Sequence, residues 1–452
     1  MTRSLFVVGD DAQSIYGFRG SKIELILNFA SNFPQTREIV LNQNYRSIQP
    51  ILDLSEKILE HNPHQKKKGL FTEQSDTHLV EYYQARSERD EADFIVRKLV
   101  ELYITKHTPS EPLEQSHTPE VHFVSDDNPI SNMFDAYDED FSSPLAKFAQ
   151  FSLAPSVFKQ DWSKVKELNH CVILYRTHAQ SRALEETFLK HGLPYKLVSG
   201  TKFMDRKEIK DVVSILKYIA NGEDTIAFSR FFPLVSDGIG PKSLNLILEF
   251  LKDPIFELKD KLKDVIESLQ STIVATMINT RSIVEFAKEL IENIGYTRYL
   301  RKEYLIKEEY LARLENIGEL YSLMLKYDVG EESITEKINL FLQQVSLMTN
   351  QDNGEDNVPK ISLMSLHQSK GLEYETVFLV GIEDGLLPHL NSLYEANGME
   401  EEVRLAYVGV TRAKHNLYLI SAESRIHFGQ IQANPVSRIF RPFLQDYTKR
   451  VF

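Results

Sequence analysis

The sequence contains a single cysteine, Cys171, among 452 residues. One thiol excludes an internal disulfide framework and a zinc site built from several cysteines. The chain has no run of about 18 uninterrupted apolar residues, so its hydropathy predicts no membrane span. The opening residues, MTRSLFVVGDD, lack the basic and then apolar layout of a secretion signal. Together these absences predict a cytoplasmic protein without a membrane partner.

Basic residues are also in deficit, because 52 Lys and Arg stand against 65 Asp and Glu and give a net charge of -13. Phosphate contacts come from Lys and Arg, so the total charge argues against nucleic-acid binding. Much of the acid is concentrated in residues 105–165, however, and local surfaces decide such contacts. The length allows about two to four domains of an ordinary globular protein.

Apolar runs followed by helical periodicity predict an α/β fold with a parallel sheet. Residues 105–165, rich in Pro, Ser and acids, are predicted to form a flexible insertion or a long loop, parts of which could dock on a surface through Phe and Tyr side chains. Residues 204–357 are predicted to be almost entirely helical. The predicted strands are SLFVVGD (4–10), EIVLNQNYRS (38–47), CVILYR (171–176), KISLMSLH (360–367), TVFLVG (376–381) and NLYLIS (416–421). The predicted helices outside the helical segment are 22–33, 88–104, 179–192 and 400–412.

Four polar segments lie at the ends of predicted strands, where open α/β sheets place their ligands. They are VVGDDAQSIYGFRG (7–20), QNYRS (43–47), SLHQSKGLE (365–373) and YVGVTRAK (407–414). In the first, the amide of Gln13 could orient a water or a phosphate. Tyr16, Phe18 and Arg19 offer planar faces to nucleic-acid bases. Taken alone, this segment equally fits a capped turn whose aromatic side chains belong to the core.

The other three segments carry arginine, histidine, lysine and glutamate side chains. Arg46 is a fork donor that matches phosphate oxygens, and Tyr45 could stack on a purine. His367, Lys370 and Glu373 surround Gly371, which permits close approach of the backbone to a ligand. Arg412 lies on the predicted helix 400–412, with Arg404 two turns before it. Each segment alone also fits a surface turn, a satisfied histidine or a solvated helix face.

In this order and at these spacings, the segments resemble the third to sixth motifs of the UvrD/PcrA/Rep group of superfamily 1 DNA helicases. The stretch LYRTHAQSRALEETFLKHGLPYKLVSGTKFMDRKEIKD (174–211) and NPVSRI (434–439) are similar to the same group. The resemblance covers nearly the whole chain except residues 105–165. It implies an ATP-dependent DNA helicase that moves 3′ to 5′, works in DNA repair or replication, and binds ATP between two RecA-like core domains.

The resemblance also implies a role for each candidate residue. Tyr45 would stack on adenine, Glu373 would contact the ribose, and Arg46 and Arg412 would reach the γ-phosphate. Gln13 would sense that phosphate, and with Arg46 and Arg412 it makes up the predicted catalytic set. The residues expected to bind single-stranded DNA are Tyr16, Phe18, Arg19, His367 and Lys370. The helical segment would touch duplex DNA at a junction, with SDGIGPKS (236–243) as its Gly-x-Gly hairpin.

No GxxxxGK[ST] sequence occurs in the chain, and no DExx box precedes residue 7. In the family these motifs supply the phosphate cradle and the Mg²⁺ carboxylate. We therefore expect a C-terminal portion of a helicase from a truncated or split gene, inactive alone, whose partner could be a separate N-terminal half. The cofactors would be ATP and Mg²⁺, with no metal ligands in this chain. The alternative is a non-catalytic module that binds single-stranded DNA or a repair partner.

The expected architecture is a RecA-like parallel-sheet domain interrupted by a mostly α-helical subdomain and preceded by a remnant of a first RecA-like domain. Residues 1–40 would be that remnant. Residues 41–203 and 358–452 would form the second RecA-like domain, and residues 204–357 would form the helical subdomain.

Overall fold

The computed structural model describes residues 6–17, 20–103, 161–198, 200–236, 238–253, 256–350, 358–395 and 397–451. The predictions made for Phe18 and Arg19, and for most of the segment 105–165, lie outside the described residues. The same holds for Asp237 in the predicted Gly-x-Gly hairpin.

The α/β class is confirmed by a seven-stranded sheet in which every neighbouring pair of strands is parallel. The described strands are β1 (Val80–Ala85), β2 (Cys171–Tyr175), β3 (Tyr195–Leu197), β4 (Ile361–Ser365), β5 (Tyr374–Val380), β6 (Ala413–Ala422), β7 (Arg425–His427), β8 (Gln430–Gln432) and β9 (Thr448–Val451). The spatial order in the sheet is β3-β4-β2-β5-β6-β1-β9, while β7 and β8 pair separately as an antiparallel hairpin.

The sheet is buried on both faces, which explains why its central strands are continuous apolar runs. Along β2, Val172 and Leu174 belong to the apolar cluster on one face. Ile173 and Tyr175 point the other way and belong to the cluster on the opposite face. This alternation is the period-2 geometry of a strand. Cores on both sides hold the ends of the strands at fixed positions.

Helices cover both faces of the sheet. Those that precede β3 are α1 (Glu24–Leu27), α2 (Phe29–Asn32), α3 (Gln49–Leu59), α4 (Glu88–Tyr103) and α5 (Ser181–His191). Helix α3 carries Pro50 in its first turn, where a missing N–H costs nothing, and it buries Ile51, Leu54 and Ile58 at helical spacing. These three residues join the cluster of Val172, whereas α4 and α5 cover the cluster of Ile173.

A block of helices lies in chain order between β3 and β4 and has an apolar core of its own. Its members are α6 (Lys207–Ala220), α7 (Thr225–Val235), α8 (Pro241–Lys252), α9 (Asp260–Asn279), α10 (Ile283–Asn293), α11 (Tyr296–Glu303), α12 (Lys307–Met324) and α13 (Ile334–Asn350). After β5 come α14 (Gly398–Val410), which packs on α3, and α15 (Leu444–Tyr447). Within the described ranges, no helix combines the length and apolarity needed to cross a bilayer.

Two predicted strands are wrong over the residues that the structure describes. Residues 6–10 form no strand, and Phe6 and Val8 are exposed. The segment 38–47 contributes only an isolated bridge between Gln43 and Phe71. A strand needs a hydrogen-bonded neighbour, and none of the described strands lies beside these apolar runs. The helix predicted over 22–33 is found as two short helices, α1 and α2.

The C-terminal end of the predicted insertion packs against the core instead of standing free of it. Residues 105–160 lie outside the described part of the chain, but residues 161–165 pack against the core. The only tryptophan, Trp162, is buried with Val165 in the cluster under α4 and α5. Its Nε1 donates to the carbonyl oxygen of His191 over 3.3 Å. The polar composition of the segment as a whole gave no indication that Trp162 and Val165 are part of the core.

Candidate functional site

Three of the predicted ATP-site residues converge at the amino ends of β5 and β6. Arg46 precedes α3, Glu373 precedes β5, and Arg412 precedes β6. The backbone joins them, because Tyr374 N donates to Arg412 O over 2.9 Å and Ile48 N donates to Lys414 O over 3.1 Å. The sheet therefore brings together side chains that are more than 300 residues apart in the sequence.

The segment that carries Tyr45 and Arg46 is a turn fixed by Asn44. The side-chain oxygen of Asn44 accepts from the backbone N–H groups of Arg46 and Ser47, both over 2.8 Å. Ser47 then donates from Oγ to the carbonyl oxygen of Ala413 over 2.6 Å, in a buried position. These bonds hold the turn against the start of β6 and aim Arg46 along the edge of the sheet.

Arg46 is oriented by two acceptors. Its Nε donates to Oε2 of Glu373 over 2.8 Å, and its Nη1 donates to the carbonyl oxygen of Thr411 over 3.2 Å. Glu373 also lies 3.3 Å from Nζ of Lys414. The hydrogen bonds from Arg46 and Lys414 lower the pKa of Glu373. Nη2 of Arg46 has no partner among the described residues, so it can donate to an incoming phosphate oxygen.

Arg412 is buried rather than projected into solvent, with 1% of its surface exposed. Its Nε and Nη1 donate to the carbonyl oxygens of Val408 and Leu372, over 2.8 and 2.9 Å. Its Nη2 donates to Oγ1 of Thr411 over 3.1 Å. Burial and the neighbouring charge of Arg46 lower the pKa of Arg412 to about 10. A buried cation beside the partly exposed Arg46 favours the binding of an anion, which relieves the repulsion between the two arginines.

Tyr45 stands beside this cluster with 80% of its surface exposed. Its hydroxyl donates to Oε1 of Gln43 over 2.9 Å, which holds the ring upright from the turn. An exposed aromatic ring next to arginine donors can stack on a base while the arginines reach its phosphates. The cluster of Tyr45, Arg46, Glu373 and Arg412 is called the amino-edge cluster below.

The four polar segments, which the sequence predicts at the ends of strands, do not share one edge of the sheet. His367 follows the carboxyl end of β4, whereas Glu373 and Arg412 lie at the amino ends of β5 and β6. The connection from β4 to β5 crosses from one edge to the other and turns at Gly371, whose φ of 87° favours glycine. The carboxyl-end rule therefore places His367 correctly and fails for the amino-edge cluster.

Residues 10–17 dock on this connection and on the apolar core beneath it. Ala12 and Ile15 are fully buried in the cluster that also contains Ile48. Ser14 O accepts from Nε of Arg404 over 2.7 Å, and Gly17 N donates to the side chain of Glu401. The segment is therefore packed against the same core as the amino-edge cluster.

The described DNA-binding candidates meet on this docked segment. Tyr16 donates from its hydroxyl to the carbonyl oxygen of His367 over 3.2 Å, and the two ring centroids lie 6.4 Å apart. Lys370 places Nζ 5.1 Å from the centroid of the Tyr16 ring and donates to the carbonyl oxygen of Gln13 over 2.8 Å. These contacts bring Gln13, Tyr16, His367 and Lys370 together. Lys370, a predicted DNA contact, therefore already binds the carbonyl oxygen of Gln13.

A cleft of about 880 Å³, called the carboxyl-edge cleft below, opens beside Gly17 and His367, between the carboxyl ends of β2 and β4 and the first turns of α12. His178, Arg206, Arg313 and Arg404 are among the residues that line it. Burial and the charges of Arg206 and Arg313 lower the pKa of His178 to about 4, so its imidazole is neutral at pH 7. Carboxylates such as Glu308, Glu309 and Glu315 also line the cleft, so its walls carry both signs of charge. Arginine donors beside an aromatic side chain are groups that can contact a single-stranded phosphate backbone and its bases.

Sequence reasoning missed His178 and Arg313 because neither lies in the four polar segments. The only local signal was the position of His178 directly after a buried strand, a place where polar residues often serve a site. Metal binding has no candidate in the described ranges, where no group of three or more His, Cys, Asp or Glu side chains is arranged to hold an ion.

Two family models match the chain. Residues 39–114 and 152–424 match the UvrD-like helicase C-terminal domain, and residues 1–34 match the UvrD/REP helicase N-terminal domain. The chain is 33% identical over 460 aligned residues to the ATP-dependent DNA helicase PcrA of Staphylococcus epidermidis, covering 98% of the chain and 55% of that relative. It is 31% identical to the PcrA of Staphylococcus aureus, covering 97% of the chain and 54% of the relative.

The chain thus spans about half the length of the curated relatives that it matches. The C-terminal model covers the α/β core from α3 to β6 and the helical block between β3 and β4. The amino-edge cluster and the carboxyl-edge cleft both lie within these matched residues. The chain belongs to the UvrD-like helicase family.

Proposed function

We propose that this chain forms one wall of the ATP site, and part of the DNA path, of an ATP-dependent 3′–5′ DNA helicase that works in DNA repair or replication. The observation that carries the proposal is the convergence of Tyr45, Arg46, Glu373 and Arg412 at one edge of the sheet. These residues supply a stacking face, a carboxylate and two arginines. Nothing in the packing of the core alone requires an exposed tyrosine beside them.

The amino-edge cluster fits a nucleoside triphosphate in its residue types. Tyr45 would hold the adenine, and Glu373 would accept from the ribose while it keeps Arg46 oriented. Nη2 of Arg46 and the remaining N–H groups of Arg412 would donate to γ-phosphate oxygens. Arginines of this kind stabilise the charge of phosphoryl transfer and contribute about 10³–10⁵ in rate in comparable enzymes.

The resemblance assigns Mg²⁺ to the same reaction, where it would neutralise charge on the β- and γ-phosphates. Glu373 is the only carboxylate of the amino-edge cluster, and Arg46 and Lys414 already engage it. The described residues therefore do not fit a Mg²⁺ site. The carboxylates and the phosphate loop would come from an N-terminal helicase region of the kind that the family places first. That region could belong to the same protein or to a separate chain.

DNA would pass along the carboxyl-edge cleft, with Tyr16 and His367 at its side. Phe18 and Arg19, outside the described residues, remain predicted contacts to bases. Because residues 10–17 contain both Gln13 and Tyr16, a nucleotide at the amino edge and a strand at the carboxyl edge would act on one segment. Cys171 is free and buried, which suits a cytoplasmic location.

The test compares DNA-stimulated ATP hydrolysis by these 452 residues alone and together with an N-terminal helicase region. The region can be taken from a matched relative, in cis or in trans. The residues alone should hydrolyse no ATP above background, and the combination should hydrolyse ATP and unwind a duplex with a 3′ single-stranded tail. Hydrolysis by the 452 residues alone would contradict the half-site, and an inactive combination would contradict the helicase assignment.

A second candidate function is a non-catalytic module that holds single-stranded DNA or a repair partner. The observation that favours it is that Tyr16 and His367 contact each other directly, without any contribution from the amino-edge cluster. The discriminating variant is Arg46→Ala, which should abolish the activity of a helicase. A pure binding module would keep its affinity and its function.

A further inference from the structure

The loop between α3 and β1 contacts Asp10 and Asp11, and it contains the run His64-Gln-Lys-Lys-Lys68. Gln13 donates from Nε2 to Oδ2 of Asp10 over 2.6 Å. Lys68 contacts that same aspartate through Nζ, and it also lies 3.2 Å from Oδ1 of Asp11. A chain of three side chains, Lys68, Asp10 and Gln13, therefore links the loop to the predicted phosphate sensor.

Asp10 decides which way the amide of Gln13 faces. A carboxylate only accepts hydrogen bonds, so it selects the Nε2 end of the amide and directs Oε1 away from itself. Oδ1 of Asp10 also accepts from Ala12 N over 3.0 Å, which fixes the carboxylate at the start of the turn. The orientation of Gln13 thus depends on where Asp10 is held.

Lys68 supplies the positive charge that two adjacent carboxylates require. The side chain of Asp11 is 6% exposed, and that of Lys68 is 16% exposed. Asp11 has further donors in Gln65 and in the backbone N–H of Lys66. Among the described residues, Lys68 is the cation that contacts Asp10 and Asp11 together. Its loss would leave the Asp10 carboxylate without that partner and less well fixed in position.

The loop of Lys68 is tied to the segment that carries Tyr45 and Arg46. Asn44 N donates to Phe71 O over 2.7 Å, and Phe71 N donates to Asn42 O over 3.1 Å. Gln74 donates from Nε2 to the carbonyl oxygen of Arg46 over 3.0 Å. Any shift of the Tyr45–Arg46 turn therefore moves the backbone that carries Lys68.

We propose that Lys68 is a positioning residue that sets the orientation of Gln13 through Asp10 and keeps it in register with the Tyr45–Arg46 turn. The inference rests on the proposed function, because it matters only if Gln13 faces a nucleotide. Lys370 binds the backbone carbonyl of Gln13 directly, whereas Lys68 acts on its side chain through Asp10. Two lysines from separate segments therefore position Gln13.

The experiment uses the chain together with an N-terminal helicase region and measures kcat and KM for ATP, with single-stranded DNA affinity as a separate readout. Lys68→Met keeps the approximate length of the side chain and removes its charge. Lys67→Met makes the same change at the exposed neighbouring residue and is the matched control. Lys68→Met should lower kcat by about tenfold to a hundredfold, the usual effect of a misplaced catalytic group. Lys67→Met should change nothing, and Lys68→Arg should restore a large part of kcat.

The decisive arm repeats Lys68→Met in a Gln13→Ala background. If Lys68 acts through Gln13, the second substitution should lower kcat by less than about twofold, because the pathway is already lost. An equal loss in both backgrounds, or a Lys68→Met variant that behaves like Lys67→Met, would overturn the inference. Asp10→Asn should reproduce the loss of kcat, and it replaces Lys68→Met in this test if Lys68→Met does not fold. A wild-type combination without ATPase would remove the proposed function and this inference with it.

Discussion

Nε of Arg46 donates to Oε2 of Glu373 over 2.8 Å, although 327 positions of sequence separate the two residues. The pair joins the turn before α3 to the start of β5, so it can form only when these two parts of the α/β core are packed together. It also sets the angle at which Arg46 can meet a phosphate. Glu373 is therefore both a predicted ribose ligand and the residue that orients the arginine.

Glu373→Gln should weaken ATP binding by about tenfold, which corresponds to about 1.4 kcal/mol. The amide accepts more weakly than the carboxylate, so Arg46 and the ribose each lose part of a charge-assisted bond. Titration of a fluorescent ATP analogue against the chain combined with its N-terminal helicase region measures the change. Glu375→Gln is the matched control, since Glu375 also pairs with Lys414 but does not contact Arg46. Equal losses in the two variants would contradict the assignment.

Arg412→Ala should destabilise the fold as well as remove a phosphate donor. The substitution leaves the carbonyl oxygen of Leu372 without this donor, whereas that of Val408 still accepts from Oγ1 of Thr411. Urea unfolding of the 452-residue chain should show a free energy of unfolding lower by about 1–3 kcal/mol. The exposed Arg441→Ala provides the control. An unchanged unfolding midpoint for Arg412→Ala would show that its buried bonds are not needed.

Acid should weaken the contact between the core and the helical block at Glu186. Burial would raise the pKa of this α5 carboxylate, but Lys326, Arg182 and Arg89 outweigh it and lower the pKa to about 2. A carboxylate with a lowered folded pKa contributes stability above its unfolded pKa of about 4.5 and loses it as the pH falls. Between pH 5 and pH 3 the loss should be about 2 kcal/mol.

Glu186→Gln should be less stable than wild type at neutral pH and should lack this part of the acid dependence. Urea unfolding at pH 5, 4 and 3 measures both effects, with the exposed Glu289→Gln as the control. Parallel stability curves for wild type and Glu186→Gln would contradict the lowered pKa.

The hairpin of β7 and β8 inserts Phe428 against α12 at Gly318, where a Cβ atom would collide with the aromatic ring. Gly318→Ala should therefore destabilise the chain by about 1–3 kcal/mol through overpacking. Adding Phe428→Leu should recover part of that loss, as measured by thermal unfolding. Gly222→Ala adds a methyl group in open space and should cost little. No difference between the two alanine variants would show that the hairpin can withdraw without cost.

The sequence predicted the central strands because their apolar runs are buried on both faces, as β2, β4, β5 and β6 show. It missed β1, whose Glu81 and Gln84 interrupt the apolar pattern of VEYYQA. The segments 4–10 and 38–47 are equally apolar, but the structure describes no neighbouring strand for them. Burial and pairing are tertiary facts, and the local pattern does not contain them.

The sequence allowed the residues of the candidate site to be proposed, but it did not predict how they are arranged in space. The resemblance identified Arg46, Glu373 and Arg412 because their motifs are specific. Neither the burial of Arg412 nor its bonds to Val408 and Leu372 could be inferred from a helix end. Lys68 carried no motif signal, since its role depends on a loop that folds back on Asp10.

The most direct test of the account is the DNA-stimulated ATPase of Arg46→Ala beside that of Tyr16→Ala, in the chain combined with an N-terminal helicase region. We expect Arg46→Ala to lower kcat at saturating DNA by about 10³ or more and to leave the affinity for single-stranded DNA unchanged. Tyr16→Ala should lower that affinity by about 1–3 kcal/mol and leave ATP binding unchanged. An Arg46→Ala protein that hydrolyses ATP at the wild-type rate would contradict an ATP site at the amino ends of β5 and β6.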